Sequence, residues 1–515
     1  MANELLDSVD HVVQLMLENR SFDQMLGFLY ESNVSPMTGQ PFAGLTGNES
    51  NPDDTGRQIA VYKIAPSADT YLSPGANPGE GYGNTNLQLF SSDVPVANEI
   101  PQNKGFVINF KQAIATDLSR GYQDTLPGTL ASQIMGMYTP ASVPILSSLA
   151  KGFAVCDQWF ASVPTETFPN RAFANAATSL GFVADKTTPK IYTCPSIFGR
   201  LSDKNVSWAI YGYNRDPLTR LDYTDTRDAD ESHFGHFRDF QEKAANGTLP
   251  AYTFLEPSWA SSGNSQHPNY DVALGEQLIH DAYYALRNGK AWKSTLFIIT
   301  YDEHGGNYDH VAPPWHATPP DNSIGEEQFD FTRFGVRVPA VLVSPLIAKG
   351  TVFRARAGTI DHTSLLKTIE LRWDVQALTA RDSAAPDISD VLTLKSPRTD
   401  DPLAGIAVPI SSGAHPNSSQ PSHIDLVQAQ KVAALPMRNE KGIYNAHTPP
   451  ALLTSDEVGD YIQTRMAAWK EHLQHLRHRR AIRVVPKSAI AGPPPVKNVP
   501  AKASALRKKG GRKKR

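Results

Sequence analysis

Cysteine is nearly missing from these 515 residues, which contain only Cys156 and Cys194. Two cysteines exclude a disulfide framework, and their separation fits no zinc-ligand spacing. Long apolar runs are missing as well. The longest, such as residues 296–300 and 339–343, have the size of buried strands and fall far short of the ~20 residues that cross a bilayer. An integral membrane segment is excluded. Residues 1–10 carry acidic side chains where a signal peptide has basic and then apolar ones, so the sequence as written reads as cytoplasmic, with a peripheral-membrane or exported form left open.

Acid is what the carboxyl terminus lacks. Residues 477–515 hold 14 of the 49 Lys and Arg and no Asp or Glu, which leaves 35 basic against 52 acidic residues before them. The net charge of -3 therefore hides a body of about -17 and a tail of +14. With Pro493, Pro494 and Pro495 and little apolar content, residues 481–515 read as disordered. Such a tail either solubilises the chain and folds back on the acidic body, or contacts an anionic membrane or nucleic acid. Ahead of it, Thr454-Ser-Asp-Glu457 is a capping box, and Val458, Ile462, Met466, Trp469, Leu473 and Leu476 recur at helical spacing. These place an amphipathic helix within 451–480.

What remains is an ordinary globular body, 40% hydrophobic and 20% charged over the whole chain, long enough to bury a large core. Residues 1–450 are expected to form the catalytic domain, with an irregular, Gly-, Asn-, Pro- and Ser-rich insertion at about 31–100 of the kind that often faces substrate. Two transitions carry most of the information. The run Val12-Val-Gln-Leu-Met-Leu17 reads as a buried strand that stops at Glu18-Asn19-Arg20, and Ser21 to Gln24 has capping-box spacing for a following helix. Residues 295–301 repeat the plan after a helix over 274–286, with the strand stopping at Asp302-Glu303-His304 and a Gly305-Gly306 loop. A third buried strand over 338–344 and a helix over 364–371 continue the alternation, which makes the fold class α/β.

In open parallel sheets ligands bind outside the carboxyl ends of the strands, so the two acidic clusters can converge on one site. Each cluster alone is also what a solvated loop looks like. Three convergent carboxylates either share protons or hold a cation, and Glu18, Asn19, Asp302 and Glu303 offer oxygen ligands suited to Mg²⁺, Mn²⁺ or Ca²⁺ without excluding Zn²⁺. Between the clusters, Thr167 precedes Pro169 in a Ser/Thr-dense turn, where a hydroxyl is either a nucleophile or an ordinary cap. Asn19-Arg20-Ser21 matches a glycosylation sequon, an accidental match at a strand end.

The blocks Glu18-Asn-Arg-Ser-Phe-Asp23, Thr167-Phe-Pro-Asn-Arg171 and Tyr301-Asp-Glu-His-Gly-Gly-Asn-Tyr-Asp-His-Val311 together resemble the three signatures of the bacterial phosphoesterase family. That family contains phosphatidylcholine-hydrolysing phospholipases C and a group of acid phosphatases. Supporting blocks at 137–140, 153–157, 255–257, 266–276 and 361–364 follow in order, so the resemblance spans roughly 8 to 385.

The resemblance implies an alkaline-phosphatase-like, doubly wound, mostly parallel sheet with helices on both faces, and hydrolysis of phosphate esters through a phosphothreonine. It puts Glu18, Asn19, Asp302 and Glu303 at metal positions and makes Thr167 the nucleophile and a further metal ligand. It also puts His267 near the phosphoryl group, as a proton donor to the leaving alcohol if protonated. His304 is a candidate phosphate contact or a support for its neighbours, and His310 and His362 read as local hydrogen-bonding residues. One feature departs from the family. No histidine occurs between His11 and His233, where the family commonly has one ahead of a stretch like Asn103-Lys-Gly-Phe-Val-Ile-Asn-Phe110. The expected activity is phospholipase C-type hydrolysis of a phosphate ester, with a phospholipid headgroup as the candidate substrate. The alternatives are an acid phosphatase on soluble monoesters and a decayed hydrolase body carrying an anion-binding tail.

Overall fold

The computed structural model describes residues 4–67, 70–120, 125–185, 191–411, 419–437, 451 and 454–478. The basic tail at 481–515 lies outside the described residues. Eight strands, β1 (His11–Leu17), β2 (Ala154–Cys156), β3 (Trp208–Gly212), β4 (Phe234–His236), β5 (Tyr252–Leu255), β6 (Thr295–Tyr301), β7 (Ala340–Val343) and β8 (Thr351–Phe353), form one sheet. Their order is β8-β2-β7-β6-β1-β5-β3-β4. Only β7 runs against its neighbours; the other pairs are parallel.

The strands at the centre are apolar almost without break because both their faces are covered, as parallel sheets require. All seven residues of β6 and six of the seven in β1 are buried. A polar exception in β1, Gln14, accepts a hydrogen bond from the Tyr252 hydroxyl at 2.8 Å, which satisfies it inside the core. Pairing of β1 with β6 runs from His11 opposite Thr295 to Leu17 opposite Tyr301. The two strands therefore end side by side, and the residues after each emerge at one place.

Nine helices matter below: α1 (Phe22–Leu26), α2 (Tyr82–Phe90), α3 (Phe106–Arg120), α4 (Pro144–Gly152), α5 (Thr167–Ala176), α6 (Val272–Arg287), α7 (His362–Trp373), α8 (His423–Ala433) and α9 (Ser455–His478). Ser21 caps α1, its hydroxyl accepting from the Gln24 N–H. At α9 the Thr454 and Glu457 side chains each accept from the other's backbone N–H. The stripe Val458, Ile462, Met466, Trp469 and Leu473 is buried together with Ala429 and Val432 of α8. Arg465 donates to the carbonyls of Val432 and Ala433 at the end of α8, and the buried Lys431–Asp222 pair at 2.7 Å ties that helix to the body.

Residues 31–100 hold more order than their composition suggests. A hairpin pairs Ser50–Pro52 with Gln58–Ala60, and α2 closes the segment. The α2 sequence has poor helix formers, so tertiary bonds hold it: Gln88 donates to Gly79 O and to Asn109 Oδ1, and Asn86 accepts from Arg333. Among the described residues no helix is long and apolar enough to cross a membrane.

Candidate active site

The backbone turns sharply after β1. Asn19 sits in the left-handed region at φ 55°, a conformation asparagine tolerates better than most residues. From there its N–H donates to Asp302 Oδ1 at 2.9 Å, its carbonyl accepts from Asn307 at 3.0 Å, and its amide nitrogen donates to Glu80 Oε2 at 2.6 Å. The loop after β6 passes so close that a Cβ on Gly305 would lie 2.1 Å from the Asn19 carbonyl oxygen, and Gly305 has φ 61°. Only glycine meets both conditions.

Thr167 is the first residue of α5, and its hydroxyl donates to Asn19 Oδ1 at 3.1 Å. One turn on, Arg171 lies on the same helix face. It donates to Asp302 Oδ2 at 2.9 Å and to the carbonyls of Met16 and Leu17, and it stacks 4.5 Å above the Trp259 ring. Asn170 braces the preceding turn, accepting from Val163 N and donating to the carbonyls of Val163, Thr165 and Glu166. The Thr-Phe-Pro-Asn-Arg block thus fixes a hydroxyl at a helix N-terminus against the strand ends.

Glu18, Asn19, Thr167, Asp302 and Glu303 are all at least 98% buried. The structure adds three carboxylates that the sequence reading did not single out: Glu80 from the insertion, Glu166 beside Thr167, and Asp185. Glu166 accepts the Asp185 N–H and Asp185 accepts the Phe168 N–H. Packed this way, the acids cannot all ionise. Burial, then the charge of Asp302, pushes Glu18 up to about 8; burial, then Glu166 and Glu18, does the same to Glu80. Glu303 and Asp185 are raised well above the carboxylate range, chiefly by burial.

These oxygen donors are of the type a divalent cation takes. Glu18 Oε1 and Glu303 Oε1 are buried oxygens with no hydrogen-bond partner, the state in which a carboxylate gains most from a metal ion. Asp302 differs, since it spends Oδ1 on the N–H groups of Asn19 and Glu303 and Oδ2 on Arg171.

The histidines divide by their partners. Arg20 holds the carbonyls of Gln266 and His267. The ring of His267 bonds the Pro268 carbonyl through Nδ1 at 3.0 Å, which leaves Nε2 a lone pair facing Glu80 Oε2 at 4.0 Å. Burial pushes His267 down to about 3 despite that bond, so it rests neutral. His304 is 99% buried and also pushed down to about 3 by burial. Its Nε2 meets Gln88 Oε1 at 2.7 Å and its Nδ1 stands 3.1 Å from Glu303 Oε2, an arrangement that holds the carboxylate from behind. His362 bonds the Asp302 carbonyl through Nε2.

A second polar cluster lies apart from these groups. Asp23, Asp309 and His310 bring one ligand atom each to within 4.8 Å of one another, the spacing of a possible metal triad, and Glu18, Asp302 and Glu303 do not close to that distance. Arg337 already occupies the cluster, however, bonding Asp23 Oδ1 at 2.9 Å and Asp309 Oδ1 at 3.0 Å. His310 Nδ1 lies 2.7 Å from Asp23 Oδ2. Arg337 offsets one of the two carboxylate charges, and a protonated His310 would offset the other. Burial alone would lower His310, but the Asp23 hydrogen bond and charge raise it above its ordinary 6.5. A histidine with a raised folded-state pKa contributes stability that is complete below the unfolded value and lost as pH rises through the folded one. Urea unfolding midpoints are therefore expected to fall as pH increases from 6.5 upward, and His310→Gln to flatten that slope.

A family model described as the phosphoesterase family matches residues 9–376. The chain belongs to the phosphoesterase family. Relatives of this phosphoesterase include non-specific phospholipase C6 of Arabidopsis thaliana, 36% identical over 411 residues, which cover 76% of this chain and 74% of that protein. Phospholipase C A of Mycobacterium tuberculosis is 29% identical over 435 residues, covering 76% and 78%. Among solved structures, a protein in the alkaline phosphatase superfamily from Vibrio parahaemolyticus aligns with a TM-score of 0.30 at 12% identity, covering 47% of this chain and 64% of that one. The phosphoesterase is an enzyme, a hydrolase of phosphate esters, built on a mostly parallel α/β sheet.

Proposed function

We propose that this phosphoesterase is a metal-dependent phospholipase C-type phosphodiesterase that works through a covalent threonine intermediate. The reading is carried by the Thr167 hydroxyl, bonded to Asn19 at the shared ends of β1 and β6 within a buried acidic cluster. A divalent ion held by Glu18, Asn19, Thr167, Asp302 and Glu303 would lower the pKa of the hydroxyl and offset charge on the phosphoryl oxygens.

Thr167, its hydroxyl proton released to bulk water beforehand, attacks phosphorus in line as the alkoxide, the bond from phosphorus to the glycerol oxygen breaks, and the headgroup phosphate stays on the threonine. The positive end of α5 favours that anion at its first residue. The departing alkoxide takes a proton from the Glu80–His267 pair, whose Oε2 and Nε2 stand 4.0 Å apart. His267 enters neutral, so it relays that proton rather than storing one. In the second half water attacks phosphorus, returns a proton to the pair and frees Thr167. Two displacements give net retention at phosphorus. Arg171 keeps Asp302 in place and His304 keeps Glu303 in place throughout, each a positioning residue.

The test is hydrolysis of phosphatidylcholine, a chromogenic diester and a chromogenic monoester by protein stripped with chelator and reloaded across a metal panel. Expected are release of phosphocholine and diacylglycerol, loss on chelation and return with a divalent ion. Full diesterase activity after chelation would overturn the metal assignment. Turnover confined to the monoester would move the enzyme to the acid-phosphatase reading.

A further inference from the structure

We infer that the loop joining α2 to α3 inserts into the hydrocarbon of an electrically neutral phospholipid bilayer and holds the enzyme at its substrate surface. The inference rests on the phospholipid reading above. Val94, Ile100 and Val96 are 77, 73 and 71% exposed, and among the described large hydrophobics only Ile410 is more exposed. Three such side chains within seven residues form a patch that water penalises and that a folded loop normally turns inward.

This loop is ordered the other way round. Its polar groups are tied down from within: Glu99 Oε2 accepts from Val96 N, the Glu99 carbonyl accepts from the Trp315 ring, and the Asp93 carbonyl accepts from Asn86. The N–H groups of Gln102 and Asn103 both reach back to the Leu89 carbonyl. With these bonds made partly within the loop and partly to the body, the loop holds Val94, Val96 and Ile100 outward beside the exposed Asp93 and Asn98.

Position and charge choose the occupant. The loop follows α2, nine residues or about 14 Å long, whose opposite end adjoins Glu80 in the carboxylate cluster. Substrate for that cluster would be embedded in a bilayer, so an apolar anchor at this distance serves the reaction directly. The loop, residues 91–105, sets Asp93 and Glu99 against a single Lys104, a net charge of -1, so neither an anionic surface nor a nucleic acid is what it attracts. Hydrocarbon beneath zwitterionic headgroups fits.

The test is co-sedimentation of the full chain with phosphatidylcholine vesicles from about 0.05 to about 0.5 M salt, where screening removes any contribution of the basic tail. The variant is Val94→Ser/Val96→Ser/Ile100→Ser, with Met37→Ser as control; Met37 is 60% exposed but packs by Gly350, between β7 and β8. Wild type and the control are expected to bind equally at every salt concentration, and the triple variant at least roughly tenfold more weakly. The triple variant should turn over a water-soluble chromogenic diester within about twofold of wild type, and lose rate only on vesicles. Equal vesicle binding by wild type and the triple variant would overturn the inference, as would binding that vanishes in high salt. So would a dimer of the wild type that the three serines make monomeric. If no protein hydrolyses the soluble diester while vesicle binding still depends on the loop, the catalytic reading fails and the docking surface stands.

Discussion

Thr167→Ala is expected to lower kcat/KM by a factor on the order of 10⁴ or more with diester and monoester alike, because a covalent route without its nucleophile keeps only binding and electrostatic stabilisation. The fold should survive. Thr167 makes one side-chain hydrogen bond, to Asn19, and Asn19 is held independently by Asp302 and Asn307. Thr167→Ser keeps the hydroxyl at the same helix end and should retain most of the rate, which separates loss of the reacting atom from disturbance of α5. Rapid quenching of the wild-type reaction with a headgroup-labelled substrate should leave label on residue 167 and none on the alanine variant. An alanine variant with wild-type rates, properly folded by circular dichroism, would remove Thr167 from the mechanism.

Arg337→Met should give the largest loss of stability. The guanidinium lies fully buried between Asp23 and Asp309, also donates to the carbonyls of Ala43 and Asp157, and rests 4.5 Å over the Phe22 ring. Burying an ion pair brings little net gain, yet deleting one partner leaves uncompensated charge and costs about 3–5 kcal/mol. The loss would appear as a lower urea midpoint. A second change, Asp309→Asn, should recover part of it, because the two effects share one cause. Additive losses in the double variant would show that Arg337 acts mainly through its packing on Phe22.

These side chains differ in how far the sequence announces them. The ends of β1 and β6 were legible because each is an apolar run stopped by an acid, and burial on both faces of a parallel sheet demands that pattern. Ser21 and the Thr454 box were legible because capping is local chemistry with fixed spacing. Glu80 was not. It sits between Gly79 and Gly81 in polar sequence, and what brings it to the cluster is a hydrogen bond from the Asn19 side-chain amide, 61 residues away. The one local sign was the pair of glycines, at each of which a Cβ would press on a side-chain atom, of Asn84 at Gly79 and of Glu166 at Gly81. Asp185 and α2 escaped notice for the same reason, since tertiary bonds and not their own residues hold them. The resemblance put His267 near the phosphoryl group; its nearness to Glu80, 4.0 Å away, and its neutral state follow from tertiary packing and burial, which spacing does not encode.

The pairing of β1 with β6 also governs when the enzyme becomes competent during folding. Asn19 and Asp302 meet across 283 residues, so nearly the whole sheet domain must be synthesised before that contact can form. Closing so long a loop is slow, and contacts of this range tend to settle late. A nascent chain halted before residue 295 would lack one of the two central strands and two of the six clustered carboxylates, Asp302 and Glu303, and would expose the edge of β1 that β6 later covers. Chaperone dependence during synthesis, and loss of activity coincident with global melting rather than ahead of it, are the expected cost of building the reaction centre from segments 283 residues apart.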